Sequence, residues 1–174
     1  MNWTQLLKDE IESTYAATEK LFDKVDPNHL GWKPESGNNW LTTGQLLMHI
    51  TNACGAPCKG FVTGDWGLPE GMKVEDLSPE EMLPPAEKFP SAENVEAARK
   101  LLAEDKVLAL RMIDEAGEDD LANREIAAPW APDVTRPLGR HLLAMIHHLH
   151  QHKGQLFYYL KLQGKPVSTP DLWG

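Results

Sequence analysis

Residues 142–164 read LLAMIHHLHQHKGQLFYYLKLQG, and this run decides the fold. Leu142, Met145, Leu149, Leu156 and Tyr159 recur at steps of three, four and seven residues. That is the spacing of one buried helix face. A start near Thr135 and Pro137 and a stop at Gly164, with Pro166 beyond it, bound a single long helix. His148 and His152 fall on or beside the apolar stripe. An i,i+4 spacing stacks both imidazoles on one face, one turn apart, where they can converge on one ion. Lys153, one position further on, is expected to point away, and His147 and His150 fall on other faces.

The next informative stretch is residues 42–53, TTGQLLMHITNA. Thr42 followed three residues later by Gln45 makes a capping box. Leu46, Ile50, Ala53 and Phe61 form the inward face of a helix that Pro57 is expected to kink or end early. His49 lies between Leu46 and Ala53 on that face. Three inward histidines, His49, His148 and His152, therefore make a candidate open metal site. Neutral imidazole suits Zn, Ni, Fe or Cu, and three imidazoles leave a position for water or substrate. Each histidine also has a plainer reading as a satisfied core residue or a solvated one. His141 is seven positions before His148, about 10 Å along the helix, and reads as a polar residue near the bundle end.

Two more helices complete the pattern. The first spans roughly 3–25, with Trp3, Leu7, Ile11, Tyr15, Phe22 and Val25 facing in and Pro27 stopping it. The third runs from Ser91 to about Ala116, with Val95, Ala98, Leu102, Ala109, Met112 and Ile113 inward and Gly117 as its end signal. Asp105 lies on that face, and a buried carboxylate needs a partner. It can orient a ligand imidazole, serve as a fourth ligand, or pair with a surface lysine. Residues 63–91 are rich in Gly, Pro and acids, with a short helical start at Ser78-Pro79-Glu80-Glu81. They are too long for a hairpin and must cross over the bundle, where they can roof one end. Residues 123–136 form a second irregular stretch around Pro129-Trp130, and no segment supports a strand.

The expected fold class is all-α, a four-helix bundle with long crossover loops, in a single domain over residues 1–174. The 174 residues are 41% hydrophobic and 25% charged, with 17 basic against 26 acidic residues and a net charge of −9. This balance argues against an extended nucleic-acid or anionic-membrane surface. No apolar run reaches the roughly 20 residues that span a bilayer, and the acidic N-terminus does not resemble a signal peptide. A cytoplasmic protein is expected. Cys54 and Cys58 are expected to be buried free thiols, with metal ligation by Cys54 as the alternative.

Gly44-Gln45-Leu46-Leu47-Met48-His49-Ile50 and the later His148-x-x-x-His152-Lys153-Gly154-Gln155-Leu156 helix, with Tyr159-Leu160 and Gly164, resemble the DinB/YfiT-like metalloenzyme superfamily. These are the damage-inducible four-helix proteins, not the lesion-bypass polymerase. The resemblance covers nearly the whole chain. It implies an up-down-down-up bundle, commonly a homodimer, holding one divalent cation on His49, His148 and His152. The chain departs from the family in having Gln151 before His152 and Ala144 one turn before His148. Relatives include S-transferases that use low-molecular-weight thiols, and maleylpyruvate isomerase relatives. The resemblance thus implies a metal-dependent transferase or hydrolase with Zn or Ni, a small-molecule substrate and a low-molecular-weight thiol. Trp66, Trp130 and Trp40 are candidates to line its pocket. Tyr159 and Asp105 are the proton-transfer candidates. The rival is a non-catalytic dimeric binding or stress-response protein in which the metal staples two helices.

Overall fold

The computed structural model describes residues 2–82 and 84–174. Helix α1 (Trp3–Phe22) starts at Asn2, whose side chain accepts from the Gln5 N–H. The carboxylate of Glu118 accepts from the Trp3 and Thr4 N–H groups, placing negative charge on a helix N-terminus. The periodic positions Leu7, Ile11, Tyr15 and Phe22 are buried as expected. Each such apolar side chain contributes about 1.5–3 kcal/mol when removed from water.

The second helical run is two helices, α2 (Thr43–Ile50) and α3 (Gly55–Thr63), separated by residues 51–54. The early end takes precedence over the kink, and Pro57 sits in the first turn of α3, where its missing N–H costs little. Both halves of the capping box form: Gln45 N–H donates to Thr42 Oγ1, and Thr42 N–H donates to Gln45 Oε1. The crossover contains the short helix α4 (Pro79–Met82). It is tied to α2 where Gln45 Nε2 donates to the Ala86 and Phe89 carbonyls. Asn39 Oδ1 holds the Ala86 N–H. These bonds hold the crossover against the first turn of α2, and the crossover's Phe89 ring reaches His49.

Helix α5 (Val95–Asn123) begins at the Asn94 cap, a turn later than Ser91, and runs past the expected stop. Gly117 does break it, with φ 70°, a left-handed conformation that glycine adopts without penalty, but helix resumes to Asn123. The stretch expected to be irregular is an antiparallel hairpin, β1 (Glu125–Ala128) with β2 (Ala131–Pro137), turning at Pro129-Trp130. The expectation of no strands fails here. Most of β2 is solvent-exposed, so no run of alternating apolar residues marks it. Helix α6 (Leu138–Leu162) carries the histidine run, and a short α7 (Thr169–Trp173) follows Pro166.

Together α1, α3, α5 and α6 pack into a mostly helical bundle, with α2 on α6 and α5, and α7 on α1 and α6. The main core is continuous from Leu7 on α1 through Leu46, Leu102 and Leu149 to Leu160. Among the described residues, no helix is long and apolar enough to cross a membrane.

Candidate metal centre

His49 lies in the last turn of α2, and His148 and His152 lie on successive turns of α6. The packing of α2 on α6 brings the three rings together. The Nε2 atoms of His49 and His152 are 3.0 Å apart, as are those of His152 and His148. All three ligating atoms lie within 4.8 Å of one another, and all three residues are partly buried. A tetrahedral ion with bonds of about 2.0–2.1 Å to imidazole holds its ligand nitrogens about 3.3 Å apart. The observed spacing fits such an ion.

The outer ring nitrogens explain why Nε2 faces inward. His148 Nδ1 is 3.0 Å from the Ala53 carbonyl. That oxygen can only accept, so the proton is on Nδ1 and the Nε2 lone pair is bare. His152 Nδ1 is 3.1 Å from Gln155 Oε1. The amide orientation follows from the next groups along: Tyr159 OH donates to the Leu41 carbonyl at 2.9 Å and can therefore accept from Gln155 Nε2 at 3.5 Å. His152 Nε2 is bare for the same reason. Two bare nitrogens 3.0 Å apart repel unless a cation sits between them.

A proton is a poor choice for that cation. Burial, then the neighbouring His152 and His148, push the His49 pKa down to about 4. Burial also lowers that of His152. Neutral imidazole is the ligating form, and the donor set fits a divalent transition metal. The Phe89 ring of the crossover packs edge-on against His49 at 5.3 Å. Among the described residues the cluster comprises three side chains, without a fourth protein ligand.

Asp105 is buried and has other work. Its carboxylate accepts from Tyr15 OH at 2.7 Å and from the Gly55 and Ala56 N–H groups at 3.0 Å. It is neither a member of the histidine cluster nor paired with a lysine. Burial raises its pKa, while these donors pull it back. Cys54 and Cys58 are free and buried. The hydrogen bond that the Cys58 thiol donates to Cys54, then burial, holds that thiol well above its usual range. Tyr159 spends its hydroxyl proton on Leu41 and is poorly placed as the proposed proton donor.

Other residues read from sequence are dispersed. Trp40 joins Trp32 around Tyr159, whereas Trp66 and Trp130 pack on each other and on Phe61. Phe61, Trp66, Met82, Ile126 and Pro129 border a cleft of about 510 Å³ between α3, the crossover and the hairpin. His141 stacks on Phe61 at 4.6 Å, with Nε2 donating to the Ile126 carbonyl. The three tryptophans therefore do not line one pocket. His147 is exposed, and His150 lies 6.0 Å from Trp173. Lys153 turns to α7, where Nζ donates to the Leu172 carbonyl, and it is buried, not solvated. Sequence reading missed Gln155 and Ala53 as partners of the cluster. Gln155 is three residues from His152 and could have been found by helical spacing; a backbone carbonyl leaves no sequence signal.

No curated protein and no solved structure shows a significant match to the chain. A family model described as the DinB superfamily matches residues 10–156. That span runs from α1 to Leu156 on α6 and contains His49, His148 and His152. With its clustered histidine triad, the chain belongs to the DinB superfamily.

Proposed function

We propose that His49, His148 and His152 hold one divalent cation, zinc or nickel, and that the chain is a metal-dependent enzyme acting on a small molecule. The observation that carries this reading is the convergence of three Nε2 atoms, with the bare lone pairs of His148 and His152 3.0 Å apart. A cation bound there supplies Lewis acidity, lowering the pKa of a thiol or water in its open position. The chain's residues do the rest. The Ala53 carbonyl and Gln155 hold two ligand rings in the correct tautomer, and burial keeps the His49 and His152 imidazoles unprotonated. Phe89 shields one side of His49 from water. The reaction class proposed is S-transfer with a low-molecular-weight thiol, or hydrolysis.

The non-catalytic alternative needs a closed shell. Asp105, its most plausible fourth ligand, is occupied by Tyr15 and two backbone donors, which favours the open site and the enzyme. The proposal also takes the chain as one cytoplasmic domain with an up-down-down-up course of its main helices and no nucleic-acid partner. A homodimer is proposed through the outer face of α6, where His147, Tyr158 and Leu162 are exposed.

Elemental analysis of tag-free protein tests the site: one zinc or nickel per chain is expected, lost in His148→Ala and in His152→Ala. Full occupancy in both variants would end the metal reading. Cobalt-loaded protein titrated with a small thiol tests the chemistry. A thiolate-to-metal charge-transfer band is expected in the wild type and absent in His49→Ala. No spectral response to any thiol, anion or pH change would shift the balance to the structural alternative.

A further inference from the structure

Asp105 and His148 both hydrogen-bond to one short stretch of backbone, residues 53–56. His148 Nδ1–H donates to the Ala53 carbonyl at 3.0 Å. Two residues on, the Gly55 N–H donates to Asp105 Oδ2 and the Ala56 N–H to Oδ1, each at 3.0 Å. The Gly55 N–H belongs to the peptide that directly follows the one carrying the Ala53 carbonyl. Residues 51–54 lie outside both helices, so no helical ladder holds this carbonyl in place.

We propose that Asp105 is a positioning residue for the metal centre, fixing through the backbone of residues 53–56 the carbonyl that sets the tautomer and direction of His148. The inference rests on the three-histidine metal reading. By accepting from the Gly55 and Ala56 N–H groups, the carboxylate fixes the backbone that aims the Ala53 carbonyl at His148 Nδ1. An acceptor held on Nδ1–H orients the ring and makes Nε2 a stronger ligand, as a carboxylate hydrogen-bonded directly to a ligating histidine does. Here a short run of backbone stands between the two. The packing is built for this approach: a Cβ on Gly55 would lie 2.2 Å from the Asp105 carbonyl and 2.6 Å from Oδ1. Tyr15 OH, on Oδ2 at 2.7 Å, ties the carboxylate to α1. Among the candidate ligands, His148 is the one joined to this anchor. His152 is oriented by Gln155 from its own helix.

The test is zinc affinity, measured by competition with a chromophoric chelator on metal-free wild type, Asp105→Asn, His148→Ala and Leu7→Ala. Leu7 is a core residue on another helix that does not touch the carboxylate, so Leu7→Ala controls for lost stability. Asp105→Asn should weaken zinc binding by about 10- to 100-fold while still binding one ion per chain at saturation. Leu7→Ala should leave affinity within about twofold of wild type, as expected for a distant site. The side-chain ¹⁵N spectrum of His148 is the second readout, and a merely structural role for Asp105 would not move it. Wild type should show the Nδ1–H tautomer alone, and Asp105→Asn a mixture of tautomers.

Failure of the two readings is distinguishable. If His148→Ala binds zinc like wild type, the metal reading falls and takes this one with it. If His148→Ala loses zinc while folded Asp105→Asn keeps wild-type affinity and an unchanged spectrum, only the positioning role is overturned. Should Asp105→Asn not fold, the wild-type spectrum decides: His148 in the Nε2–H form overturns the proposal.

Discussion

Two polar centres lie inside this bundle, and they are built on opposite rules. Around Asp105 both carboxylate oxygens meet hydrogen-bond donors: Tyr15 OH and the Gly55 N–H on one, the Ala56 N–H on the other. In the histidine cluster the protons of His148 and His152 point outward, to Ala53 and Gln155. Bare nitrogens are left facing inward. A satisfied buried network stabilises and rigidifies; a half-satisfied one costs free energy unless something completes it. The first centre is complete in the protein alone. On the metal reading proposed above, the second is completed by a cation, so the two should respond oppositely to metal, mutation and pH.

The largest expected effect is that of the metal. With zinc at about 1,000 times its dissociation constant, linkage adds about 4 kcal/mol to stability. For a chain of this length that is a rise in melting temperature of about 8–16 °C. Calorimetry with zinc and with a chelator checks it, and identical melting curves would erase the distinction between the centres. Next is the mutational contrast in metal-free protein. Asp105→Ala leaves three buried donors without an acceptor and should cost about 3 kcal/mol or more in urea unfolding. His148→Ala removes one side of a repulsive contact and should cost no more than about 1 kcal/mol under the same conditions. Equal losses would mean that the histidine cluster is already satisfied without an ion.

The pH response is smaller. His49 has its folded-state pKa lowered to about 4, below the ordinary value of about 6.5. The unfolded chain therefore binds more protons between these values, and stability rises with pH through the window. Metal-free protein should lose stability as pH falls from about 6.5 towards 4, by at most about 1.4 kcal/mol per pH unit from this one group. In His49→Phe that part of the slope should vanish from unfolding curves recorded across the window. Smallest of all is His147→Ala. On the exposed face of α6, it should change stability by no more than about 0.5 kcal/mol and zinc stoichiometry not at all.

Much of this was legible in the chain itself. Helical periodicity placed Leu142, Leu149 and Leu156 in the core, and His148 and His152 one turn apart beside them, because a 3.6-residue repeat carries its own direction. The Thr42–Gln45 capping box formed as read, since both partners lie within one turn. What escaped depended on distant partners. Lys153 sits one residue from a ligand candidate, yet its burial depends on α7 folding back across α6. The hairpin of residues 125–137 pairs a mostly exposed strand, and exposure erases the alternation that marks strands in sequence. Trp40 and Trp66, both candidate pocket walls on the family resemblance, fall in separate aromatic clusters, one around Tyr159 and one around Phe61.

By itself, the sequence determined that three histidines would face the inside of a helical bundle, because residue spacing along a helix sets which side chains share a face. Only the tertiary structure decided that their Nε2 atoms meet, with the protons of His148 and His152 turned away. That outcome needs the buried Ala53 carbonyl, left outside the helical ladders where α2 ends and α3 has not begun, and the Gln155 amide turned by Tyr159. A backbone oxygen has the same chemistry at every position. Its role here comes from where the packing of three helices leaves it.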